Sequence, residues 1–134
     1  DMATGTAGTT ARKFHTSQVH YLRKRITFAT TNVETNLGMI PAGASLVPGG
    51  GVHVVTADSG ITLDVGFKGG STTDDPNAYA TALTVAAVGF IALDELAATT
   101  NIQQSVDTMV TYTVSSGADT FVGDLVVAYV VDNG

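Results

Sequence analysis

Between Asn36 and Lys68 the chain reads NLGMIPAGASLVPGGGVHVVTADSGITLDVGFK, and its apolar residues return at every second position. Ile61, Leu63, Val65 and Phe67 fall on one face, with Thr62, Asp64 and Gly66 on the other. Just upstream, Val52, Val54 and Thr56 alternate with His53 and Val55. A period of two belongs to an extended strand with one face buried, and a helix would need 3.6. The runs are separated by Pro41-Ala42-Gly43, by Pro48 to Gly51 and by Ser59-Gly60. Proline presets φ and glycine supplies φ > 0, so these are turns. This much of the chain is sandwich wall. With 134 residues in all, one domain is expected.

The segments also come in a recognisable order. LGMIPAGASLVPGGGVHVVTA, then ITLDVGF, then DDPNAYA together resemble small tailed-phage virion proteins of the jelly-roll capsid cement or decoration type. The match covers roughly residues 36–80, with a looser fit of the terminal strands through Val131. PAGA alone is a common turn, so the ordered set carries the resemblance. It implies an all-β, jelly-roll-like β-sandwich of about eight strands. It also implies a protein that binds the outer surface of a phage head and stabilises the capsid lattice. The major capsid protein would be its partner, and the capsid surface of the virion, assembled in the host cytoplasm, its location.

Charge divides the chain unevenly. Arg12, Lys13, Arg23, Lys24 and Arg25 stand against Asp1 in the first 25 residues, which therefore carry +4. Lys68 and eleven acids give the remainder −10. Such a split suggests an arm and a body with different partners. Residues 1–18 are small and polar, with Phe14 as the one large apolar side chain, and are expected to form an extended basic arm. Residues 19–134 then form the β-sandwich. The arm residues Arg12, Lys13 and Phe14, with Arg23 and Arg25, are the candidate capsid contacts. A floppy terminus explains the arm equally well.

In VHYLRKRITFA (19–29), Leu22, Lys24, Ile26 and Phe28 share one strand face, and Tyr21, Arg23, Arg25 and Thr27 the other. Three adjacent basic residues are few for a phosphate backbone, and a body of −10 repels one, so no nucleic acid is expected. Arg23 and Arg25 are read as facing an acidic partner surface, and Lys24 as snorkelling or guarding an edge. Asp75 at N-cap and Pro76 at N1 predict a short helix through Ala82. A calcium site from Asp64, Asp74, Asp75 and Asn77 lacks EF-hand spacing. Leu83 to Leu96 is read as two short strands around a Gly89 bend, crossing between sheets, with Asp94 and Glu95 as its solvated end.

Ser105 to Val114 is another alternating strand, with Val106, Thr108, Val110, Tyr112 and Val114 together. The last, Phe121 to Val131, is apolar on both faces. Such a strand is either covered twice or meets a partner. Val122, Val126, Ala128 and Val130 are therefore the candidate subunit interface of a homodimer or homotrimer. Charged residues are 13% of the chain, about half the usual share of roughly 25%. Buried assembly surface and a Thr-rich exterior both account for that.

Chemistry-bearing patterns are sparse. There is no cysteine, and His15, His20 and His53 are scattered without carboxylates at ligand spacing. No GxSxG elbow occurs, and Gly49-Gly50-Gly51 and Gly69-Gly70-Ser71 lack the lysine of a phosphate loop, so both are read as hairpin turns. No enzyme, cofactor or metal is expected. No apolar run approaches the ~18 residues of a membrane span, so no membrane partner is expected, and no h-region follows the basic residues. The alternative is a carbohydrate- or receptor-binding β-sandwich of a phage tail or fibre. Against it, sugar platforms use exposed aromatics, and the chain has no Trp and four Tyr.

Overall fold

The computed structural model describes residues 18–27, 32–96, 103–115 and 120–131. Nine strands account for most of them: β1 His20–Ile26, β2 Thr35–Ile40, β3 Ala44–Leu46, β4 Gly51–Thr56, β5 Asp58–Lys68, β6 Asp75–Val85, β7 Gly89–Ala92, β8 Thr108–Val114 and β9 Val122–Val131. The described residues contain no helix, so none is long and apolar enough to cross a membrane. The first sheet runs β1-β9-β4-β7, with β3 also on β9, and the second runs β2-β8-β5-β6. All pairings are antiparallel. Together they make a jelly-roll-like β-sandwich.

The alternation dictates the core. Val52, Val54, Leu125 and Val127 point in from the first sheet, and Ile61, Leu63, Val65, Phe67, Val110, Tyr112 and Val114 from the second, all buried. Burying each such side chain contributes roughly 1.5–3 kcal/mol. Phe67 and Tyr79 pack ring to ring at 5.8 Å between centroids, and burial pushes the Tyr79 hydroxyl up to about 12, with Asp75 adding to the shift. Lys24 stands on the inner side of edge strand β1, and its ammonium lies 5.3 Å from the centre of the Tyr112 ring. That distance is within cation–π range, and an inward charge on an edge strand discourages further pairing.

Three local readings need correction. Residues 75–82 form strand and not helix. Asp75 Oδ1 does accept the Asn77 amide at 3.3 Å, the local bond that made it look like a cap. Pairing with β5 and burial of Ala78, Tyr79, Ala80, Leu83 and Val85 outweigh it. β6 is an edge strand, so the missing N–H of Pro76 is tolerated. The backbone of Asp75 and Pro76 closes over Gly66, where a Cβ would lie 2.1 Å from the Asp75 carbonyl oxygen.

The Gly49–Gly51 run is no hairpin either. β3 and β4 lie end to end along β9, with Leu46 opposite Tyr129 and Gly51 opposite Val126. Four residues on one side thus face two on the other, and Val47 to Gly50 is a bulge. Gly49 has φ +123. By contrast Gly69 does turn the chain from β5 into its partner β6, with φ +71. Finally, the β8 strand begins at Thr108, and Val106 precedes it, exposed. The 83–96 reading holds in part: Gly89 has φ +127 and β7 joins the other sheet, but residues 83–85 are the end of the 11-residue β6 and not a separate short strand.

Candidate functional site

The candidate binding residues of β1 and β9 share the outer face of the first sheet. β1 presents Tyr21, Arg23 and Arg25, because its other residues face inward with Ile26. β9 presents Val122, Asp124, Val126, Ala128 and Val130. The antiparallel register sets Tyr21 opposite Ala128, Arg23 opposite Val126 and Arg25 opposite Asp124. β4 continues the row with His53 opposite Asp124, and β7 sets Phe90 opposite His53. The candidate capsid contacts of β1 and the candidate subunit interface of β9 are one surface.

Its electrostatic centre is a residue the sequence reading passed over. Asp124 is the acid of an otherwise apolar strand, with a side chain only 8% exposed. Arg25 donates to it through Nε at 2.6 Å and through a terminal nitrogen at 3.0 Å, and Arg23 donates through a terminal nitrogen at 3.0 Å. The Arg25 bond holds the Asp124 carboxyl down at about 2, helped by Arg23 and opposed by burial. The same bond raises the Arg25 pKa. The two arginine side chains stay 65% and 50% exposed, and the trio keeps a net charge of +1. A lone acid in β9 becomes a pairing signal only once β9 is known to lie beside the arginine-bearing strand.

Around this centre the surface is apolar. Tyr21 and Phe90 are 62% and 57% exposed, and Val19 and Val55 are exposed beside them. Val122, Val126 and Val130 are half-buried. Ala128 is buried, since the β3–β4 bulge brings Gly49 over it. It therefore supports the face and does not contact anything docked there. Gly51 is required for the packing of Phe90, because a Cβ on Gly51 would meet that ring at 2.7 Å. Arg12, Lys13 and Phe14 lie outside the described residues.

The opposite outer face, on the second sheet, keeps its acids engaged within the chain. Asp64 accepts the Ala82 amide at 2.7 Å, at a residue with φ +50, and Asp74 accepts the Gly69 amide at 2.9 Å. Asp107 accepts the Ala42 amide at 2.9 Å, and Glu34 accepts the buried Thr111 hydroxyl at 2.7 Å. Asp64, Asp74 and Asp75 each hold a different backbone amide. Among the described residues no three His, Asp or Glu side chains come together as a metal ion would require. Asp94 is exposed after β7 and accepts the Thr81 amide at 3.2 Å.

No family model and no curated protein matches this chain. Two solved structures share its fold. A chain in the acidic stable capsid structure of Helicobacter pylori bacteriophage KHP30 superimposes with a TM-score of 0.53 at 21% identity, over 87% of this chain and 90% of that one. A chain of the cyanophage Pam1 capsid asymmetric unit gives 0.62 at 16% identity, over 96% and 95%. At these identities the likeness establishes the fold.

Proposed function

We propose that this chain is a capsid cement or decoration protein, which docks on the outer surface of a phage head through the outer face of its first sheet and stabilises the shell. One observation carries the reading: its fold matches chains of two phage capsids over nearly the whole length of both partners in each comparison. The matched chains are therefore about this size and have little room for a second domain. The ordered LGMIPAGASLVPGGGVHVVTA, ITLDVGF and DDPNAYA segments support the same reading independently. A ligand that binds only the assembled lattice stabilises it by mass action, and many equivalent copies multiply the effect. The basic segment 1–18 adds a second attachment, made by Arg12, Lys13 and Phe14.

Self-association through Val122, Val126 and Val130 uses the same face as docking by Arg23 and Arg25, so a second copy and the shell compete for it. A two-fold contact between such faces makes a dimer; a trimer needs a different pair of surfaces. The test is the number of copies in purified virions, counted by quantitative gel densitometry against the shell protein. Hundreds per particle are expected, with loss of heat resistance when they are stripped. A few dozen would move the chain to a tail or fibre, and none would overturn the reading.

A further inference from the structure

We infer that Arg23 and Arg25, drawn together by Asp124, form a two-arginine clamp that takes a single carboxylate from the docked partner. The partner thus presents an Asp or Glu beside Tyr21 and Val126. The inference rests on the docking reading for the identity of that partner, and on the trio itself for the chemistry.

Two guanidinium groups on alternate residues of one strand repel each other, and without a counter-ion they would diverge into solvent. Asp124 removes that repulsion with both of its oxygens, accepting three N–H groups. Each guanidinium carries five donors in a rigid fork, so most of the pair's donors remain unmatched within the described residues. The site is positive by one charge, half-exposed on the arginine side and closed on the aspartate side. One further carboxylate would neutralise it. A polyphosphate backbone brings many charges into the field of a chain at −6 overall, whereas a carboxylate on a protein surface brings one. Apolar Val126 opposite Arg23, and Tyr21 two residues along β1, flank that side chain with apolar surface that sheds its water when a partner docks. Charge-assisted hydrogen bonds gain strength in such a place.

The full-length protein is titrated with poly-L-glutamate, and separately with single-stranded DNA, while the arginine Nε–Hε resonances are followed by NMR. Arg23 and Arg25 should shift together with polyglutamate and not with DNA. Arg23→Gln and Arg25→Gln should each weaken the titration about tenfold, the effect of losing a charge-assisted hydrogen bond. Asp124→Asn is the sharper variant, since it makes the face more positive yet removes the organiser. Weaker polyglutamate binding supports the clamp, and stronger binding overturns it in favour of plain charge attraction. Unmoved arginine resonances, or a response to DNA alone, also overturn it. Rebinding to stripped heads then separates the two claims. If wild type and both glutamine variants rebind equally, the decoration reading stands and the clamp fails. If polyglutamate binds through both arginines but heads do not bind, the clamp stands and the decoration reading fails.

Discussion

The two outer faces of this sandwich are built from the same backbone pattern and put it to opposite use. On the second sheet each acid is matched to a donor of its own chain: Asp64 to Ala82, Asp74 to Gly69, Glu34 to Thr111. On the first sheet one acid, Asp124, serves two arginines and leaves most of their donors and the rings of Tyr21 and Phe90 to solvent. The acids of the first kind of face are engaged by its own chain, while the arginines of the second keep donors open. Net charge does not reveal this. A sandwich (residues 19–134) of net charge −7 reads as an acidic surface, yet much of its acid is engaged in holding turns, and the open face is the positive one.

The contrast breaks most sharply within β9, where neighbouring residues belong to different worlds. Val127→Lys places a charge in the core and should unfold the domain, as an unpaired buried charge costs several kcal/mol. Val126→Lys should stay folded and lose docking to heads. Circular dichroism and rebinding read the two outcomes, and a folded Val127→Lys would refute the assignment of faces. Next in size is Gly66→Ala, whose methyl would collide with the Asp75 carbonyl. It must push β6 off the sheet edge, at about 1–3 kcal/mol in urea unfolding, while docking through the other face is untouched.

Asp64→Ala is smaller. It frees the Ala82 amide at a strained backbone position and should lower stability by about 1 kcal/mol, again with docking preserved. The pH response is the subtlest. The Asp124 carboxyl lies at about 2 against an ordinary 3.8, a depressed value, so its contribution is complete above pH ~4 and lost as pH falls through about 2. The melting-temperature gap between wild type and Asp124→Asn should therefore be constant from pH 7 to about 4 and shrink below it. A gap that instead closes near pH 6 would refute the assignment to Asp124.

How much of this was legible depends on how far apart the determinants lie. The face of Ile61, Leu63, Val65 and Phe67 is written in consecutive residues, and so is the Gly89 bend. Asp75-Pro76 misled because the cap signal is local, whereas the pairing that overrides it comes from β5. Gly49 to Gly51 read as a hairpin because only β9 tells that β3 and β4 are collinear. The Arg23, Arg25 and Asp124 trio spans 99 and 101 residues, and no window of sequence contains it. That separation also merged two expected interfaces into one.

The pairing of β1 with β9 has a consequence in time. A ribosome adding about 5–20 residues per second makes both arginines some 5–20 s before it makes Asp124. Through that interval the nascent chain carries the charges of the docking face without its geometry. Under the proposed docking, fragments that stop short of β9 lack the organised first-sheet face and keep only the attachment proposed for segment 1–18. If docking runs through this face as proposed, full recognition reports that translation has passed Asp124, and incomplete copies are disfavoured without any separate proofreading.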